Sequence, residues 1–68
     1  MLKDTKELVR RKRMEKKLTQ QKLADKLFVS RTTISMIESD EKYTPSTHLA
    51  KALGEELNFD WTLFYEEE

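Results

Sequence analysis

Covalent and metal chemistry are poorly supplied in this chain. Its 68 residues contain no cysteine and a single histidine, His48. A metal site needs several converging ligands. His48 has none on its expected helix face, so it reads as a surface residue. No Ser/His/Asp set and no glycine-rich phosphate loop is present. An enzyme is therefore not expected, and neither is a metal or any other cofactor. What the chain does carry is a dense run of hydrogen-bonding side chains, SRTTISMIE, at residues 30–38. Arg31 brings a planar fork of donors, Thr32 and Ser35 bring hydroxyls that donate and accept, and Met36 brings a soft apolar end. Gln20 adds an amide ten residues earlier. These are the tools of non-covalent recognition.

The elements that must present them are helical. One Gly and one Pro interrupt the chain, and its apolar residues recur mostly at helical spacing. No alternating pattern or hairpin signal competes. A first helix is expected over residues 4–16, with Val9 and Arg13 four apart and so on one face. Arg10, Arg11, Lys12, Lys16 and Lys17 flank that face as a basic surface. Thr19 is a good N-cap, and Leu18 before it suits a hydrophobic staple. QQKLADKL then sets Leu23, Ala24 and Leu27 along one apolar edge. Ser30 caps the next helix, RTTISMIE, whose Ile34 and Ile37 turn inward. A fourth helix starts near Thr44-Pro45 or Ser46 and places Leu49, Leu53 and Leu57 every four residues. Gly54 within it either weakens the helix or lets a neighbour approach closely. Asn58 or Asp60 then caps a short last helix, WTLFY.

The second and third helices are about eight residues each, with only a tight corner between them. That is the geometry of a helix-turn-helix. The first helix of such a pair crosses the phosphate backbone of DNA, and the second lies in the major groove, about 12 Å wide. A groove-lying helix must be apolar on one side only, as SRTTISMIE is. Arg31 can donate two bonds to guanine O6 and N7. Thr32 and Ser35 can reach base edges or phosphates, and Met36 can touch a thymine methyl. Gln20, at a helix N-terminus, can donate to a phosphate beside free backbone N–H groups.

Residues 13–38, RMEKKLTQQKLADKLFVSRTTISMIE, resemble the phage-repressor/Cro-type, or Xre-like, helix-turn-helix regulators. The matching set is Arg13, Thr19-Gln20, Leu23-Ala24, Val29-Ser30-Arg31, Ile34-Ser35 and Glu38. Pro45, LAKALG and FDW extend the likeness toward the C-terminus. The resemblance implies an all-α, five-helix, lambda-repressor-like DNA-binding domain with the helix-turn-helix at helices two and three. It places Arg13 and Glu38 as a partly buried ion pair. An arginine on an inward stripe independently needs such a partner, because an unpaired buried charge is costly. The resemblance also places Arg31, Thr32, Ser35 and Met36 at base-reading positions. Gln20, Ser30, Thr33, Tyr43 and Thr44 sit where the family touches phosphates. Where that family prefers glycine, this chain has Lys17, Phe28 and Asp40. A non-glycine residue in the left-handed conformation costs roughly 1–2 kcal/mol. The Phe28 ring is therefore expected to bury itself against apolar neighbours, in a strained or slightly displaced corner.

Charge and aromatics complete the reading. Residues 1–33 hold 11 Lys/Arg against 4 Asp/Glu, and residues 34–68 hold 2 against 9, so a net charge of zero hides excesses of +7 and −7. Such asymmetry hints at nucleic-acid contact, or at a basic helix docked on an acidic one. Trp61, Leu63, Phe64 and Tyr65 cluster near the end, some expected to cap the core and others to meet a twofold mate. The terminal EEE reads as a solvated tail. At 68 residues one domain, spanning residues 1–68, is expected. No signal peptide or membrane span is evident, and a reducing cytoplasm, with association to the nucleoid, fits the lack of cysteine. The expected function is sequence-specific binding of double-stranded DNA, at a palindromic operator, by a small homodimeric transcriptional regulator. A repressor of phage or mobile-element type is the first expectation, with no membrane partner and no small-molecule effector. The alternatives are an antitoxin or restriction–modification controller on the same fold, or a protein-interaction module that has lost DNA binding.

Overall fold

The computed structural model describes residues 3–40 and 42–66. Four α-helices follow one another: α1 Lys3–Glu15, α2 Gln20–Leu27, α3 Arg31–Ser39 and α4 Thr47–Leu57. A 3-10 helix, Trp61–Tyr65, ends the described chain. The expected five α-helices are thus four and a 3-10 helix. The reason is local. Asn58 turns left-handed to end α4, and Asp60 starts the next element only two residues later. Five residues between Asp60 and Glu66 settle on i→i−3 bonds, Leu63 N–H to the Asp60 carbonyl (3.2 Å) and Glu66 N–H to the Leu63 carbonyl (3.3 Å).

Each later element starts where a side-chain oxygen can receive an orphan N–H. Thr19 accepts from Lys22 N–H at 3.1 Å, Ser30 from Thr33 N–H at 3.2 Å and Ser46 from Leu49 N–H at 3.3 Å. Asp60 accepts from Thr62 N–H at 3.0 Å and from the Thr62 hydroxyl at 2.7 Å. A cap of this kind contributes about 1 kcal/mol. The starts of α2 and α3 therefore follow from chemistry within three residues.

The helix ends are less comfortable. Lys17, Phe28 and Asn58 all take positive φ, near 58–59°. After Lys17 the Leu18 N–H reaches the Arg13 carbonyl, and after Phe28 the Val29 N–H reaches the Ala24 carbonyl, at 3.2 and 3.0 Å. These bonds close Schellman turns, which normally favour glycine. Asp40 is different. It is extended, at φ −91° and ψ 108°, and carries no left-handed strain.

Phe28 corrects one expectation outright. Its backbone is left-handed, but its ring is 95% exposed. Phe28 N–H to the Asp25 carbonyl (3.3 Å) and Val29 N–H to the Ala24 carbonyl (3.0 Å) pin the corner and fix the direction of the Phe28 Cβ. The core-facing places on either side are taken by Leu27 and Val29, which pack against the core. The ring is left pointing to solvent.

The core joins all five elements: Val9, Leu23, Ala24, Ile34, Ile37, Leu49, Ala50, Leu53, Leu57 and Phe64. Thr5 and Lys6 are also buried, and Thr5 Oγ1 donates to the Leu63 carbonyl at 3.3 Å. Gly54 serves close approach. A Cβ there would lie 2.8 Å from the Phe59 carbonyl oxygen and 3.0 Å from Trp61 Cβ. Its absence lets residues 59–61 cross directly over α4. Glu66, in the terminal EEE run, is exposed, while Glu67 and Glu68 lie outside the described residues. Among the described residues no helix is long and apolar enough to cross a membrane.

Candidate nucleic-acid interface

The site is built on α3 and held by one ion pair. Val9 and Arg13 share a face of α1, so the stripe that buries Val9 also carries Arg13 inward. There Arg13 Nε donates to Glu38 Oε2 at 2.7 Å and Nη2 to Oε1 at 3.1 Å, a bidentate fork. The two side chains are 12% and 5% exposed, so water screens them little. Arg13 Nη1 donates to the Leu18 carbonyl at 2.7 Å, beside the start of α2. Gln20 Nε2 donates to Glu38 Oε1 at 3.3 Å. One carboxylate on α3 thereby gathers donors from α1 and α2. Three helices meet at one point, and the pitch of α3 is set there.

From that anchor α3 turns Ile34 and Ile37 into the core. The rest of its surface follows from the 3.6-residue period. Arg31 and Thr32 are exposed, and Thr33, Ser35 and Met36 are half-buried. Ser30 is exposed at the cap, with its Oγ 3.0 Å from Thr33 Oγ1. A polar edge with one cation at its leading end results, next to a helix N-terminus whose dipole favours anions. Ser35 has a further tie, since its carbonyl accepts from Ser39 Oγ at 2.6 Å. Beyond α3, Tyr43 is half-buried against the core and Thr44 is exposed.

The residues singled out from sequence therefore fall into groups. Arg31, Thr32, Ser35, Met36, Ser30 and Thr33 share one helix and its cap. Gln20 joins them through Glu38. Its role inside the chain had no sequence signal, because it depends on where Glu38 lands in space. Tyr43 and Thr44 stand apart on the loop that follows.

The C-terminal aromatics divide by burial. Phe64 is fully buried and packs edge-on to Phe59, with ring centroids 5.5 Å apart. It belongs to the core, which removes it from the residues expected at a dimer interface. Trp61 and Leu63 are half-buried. Tyr65 is 42% exposed, and its hydroxyl donates to the Pro45 carbonyl at 3.0 Å. Lys51 Nζ lies 5.2 Å from the centre of the Trp61 ring, within cation–π range.

Two short capped helices meet at a pinned corner, the second buried on one side and polar on the other: α2 and α3 form a helix-turn-helix. The chain belongs to the helix-turn-helix family of the Xre and Cro type, whose sequence profile matches residues 9–64. Among similar proteins is the uncharacterised HTH-type transcriptional regulator YqaF of Bacillus subtilis (strain 168). The two are 37% identical over 59 residues, which is 87% of this chain and 76% of that protein. No solved structure matches the chain significantly.

Proposed function

We propose that this domain binds double-stranded DNA in a sequence-specific way, with α3 in the major groove, and regulates transcription. The observation that carries the reading is the presentation of α3. Its N-terminal edge offers Arg31, Thr32 and Ser35 to solvent or near it, while the Arg13–Glu38 fork holds the helix from behind. Base recognition needs donors held rigidly enough to discriminate edges. The excess of positive charge in residues 1–33 supports the same reading, since phosphate contact supplies most of the affinity. YqaF, named as a transcriptional regulator, agrees with it.

In this reading Arg31, Thr32, Ser35 and Met36 face bases. Ser30, Thr33, Tyr43, Thr44 and Gln20 face phosphates. Gln20 Nε2 keeps a second hydrogen for that contact while the first holds Glu38. Residues 1–68 act as one DNA-binding unit. Two copies pair through Trp61, Leu63 and Tyr65 and read a palindrome whose half-sites lie about one helical turn apart. Repression at an operator of phage or mobile-element kind is the first physiological reading, and no enzymatic role is assigned.

Selection of bound fragments from a random duplex pool tests this. The expected result is an enriched palindrome with half-site centres about 10 base pairs apart. Fragments recovered without any sequence enrichment would contradict the sequence-specific reading.

A further inference from the structure

Phe28 is the strained residue of the helix-turn-helix whose side chain finds no cover within the fold. Its left-handed backbone, φ 58° and ψ 41°, is a conformation that disfavours a residue with a Cβ. Burial of the ring would offset that strain, yet the ring is 95% exposed. Strain without internal compensation points outward, to a contact made with something else.

The surroundings of Phe28 decide what that contact is. Large apolar side chains exposed among the described residues are Met14, Phe28 and Tyr65, on α1, the corner and the 3-10 helix. The exposed sequence neighbours within three residues of Phe28 are Asp25, Lys26, Ser30 and Arg31, all polar, with two cations against one carboxylate. A protein interface is organised around an apolar centre depleted of charge. One ring set among charged and polar side chains does not supply that. A nucleic-acid interface is polar and strongly positive, and it accommodates a lone ring. The corner is also continuous with the proposed interface. Phe28 stands two residues before Ser30 and three before Arg31, so its Cα lies within about 8 Å and 12 Å of theirs at full extension.

We infer that Phe28 is a further DNA contact, with its ring lying against the apolar face of a deoxyribose on the strand whose phosphate Ser30 faces in the proposed reading. This rests on the proposed DNA-binding function. It adds to it a contact that is uncharged, and therefore separable from the phosphate contacts by salt.

The test compares wild type with Phe28→Gly and Phe28→Asn, both compatible with a left-handed corner. The probe is a duplex recovered from the random-pool selection. Three readings are taken: the melting temperature, the affinity, and the slope of log affinity against log salt. Both variants should melt higher than wild type, with Phe28→Gly up by about 4–8 °C, because strain is relieved and no buried contact is lost. Both should bind DNA roughly fivefold to tenfold more weakly, the effect of exposing part of a ring that DNA had covered. The salt slope should stay that of wild type, because no charge was removed. Wild-type affinity in both variants would overturn the inference and leave the proposed function standing. A weakened affinity with a shallower salt slope would also overturn it, since the loss would then lie in displaced cations. Failure of wild type to bind any duplex would overturn both.

Discussion

Replacing Glu38 with alanine should destabilise this domain more than any exposed substitution. The carboxylate accepts from Arg13 Nε at 2.7 Å, Arg13 Nη2 at 3.1 Å and Gln20 Nε2 at 3.3 Å. Its removal leaves Arg13, at 12% side-chain exposure, with only the Leu18 carbonyl as a partner. Breaking a buried ion pair from one side costs about 3–5 kcal/mol. Some exposure of Arg13 lets water reach it, so the lower end, about 3 kcal/mol, applies here. A domain of this length has a total stability of about 3–10 kcal/mol, so Glu38→Ala removes a third of it or more. Glu38→Gln keeps one acceptor and loses the charge, which should cost about 1.5–3 kcal/mol. The double variant Arg13→Met with Glu38→Leu replaces both partners by apolar groups of similar reach. It should be less destabilised than either single truncation, because no charge is left stranded. Urea unfolding followed by helical circular dichroism reads the order directly, provided the slope m is constant across the set. A Glu38→Ala cost below about 1 kcal/mol would place the fork among exposed pairs and refute the claim that it holds α3. So would a double variant as unstable as the sum of the singles.

Three other outcomes follow from the geometry. Gly54→Ala should destabilise by about 1–3 kcal/mol, despite alanine's better helix propensity. The new Cβ meets a backbone carbonyl at 2.8 Å that cannot give way without moving the Phe59–Trp61 crossing, and thermal unfolding checks it. Hydrogen bonds from the Thr62 hydroxyl, and then from its N–H, hold the Asp60 carboxyl below its usual pKa. With the folded pKa lowered, the cap's contribution is full above the ordinary carboxylate range and fades as pH falls through the lowered value. The stability gap between wild type and Asp60→Ala, followed by pH-dependent unfolding, should therefore narrow in acid, and a constant gap would contradict it. Arg31→Ala should weaken binding to a selected duplex by about 1–3 kcal/mol and relax preference at one base pair per half-site. Equal loss on selected and random DNA would make Arg31 a phosphate contact instead.

What could be read from the sequence was mainly what is decided within four residues. Thr19, Ser30 and Ser46 mark helix starts because their oxygens meet an N–H three residues on. Ile34 and Ile37 turn inward because the helical period allows only that face. Fold class and family were legible for the same reason, since the spaced set from Arg13 to Glu38 spans α1 to α3. Features set by space were not. Phe28 was expected inside because a strained aromatic should find cover. Leu27 and Val29 already occupy the cover, and the pinned corner aims the ring away. Phe64 looked like its neighbours Leu63 and Tyr65, but only its position in a 3-10 helix, rather than an α-helix, decides which of the three points at the core. Gln20 reads as a free amide in one dimension, and its bond to Glu38 exists only once α2 and α3 are docked. For the interface itself, sequence and fold together bring Arg31, Thr32 and Ser35 to one edge of α3.

The central claim is that this edge grips duplex DNA. Fluorescence anisotropy of a labelled selected duplex, titrated at several salt concentrations between 50 and 200 mM, tests it most directly. Affinity should fall linearly on a log–log scale with a slope of about −0.9 for each phosphate neutralised. It should also exceed that for a scrambled duplex at every salt. Binding that is absent, or indifferent to salt, would contradict it.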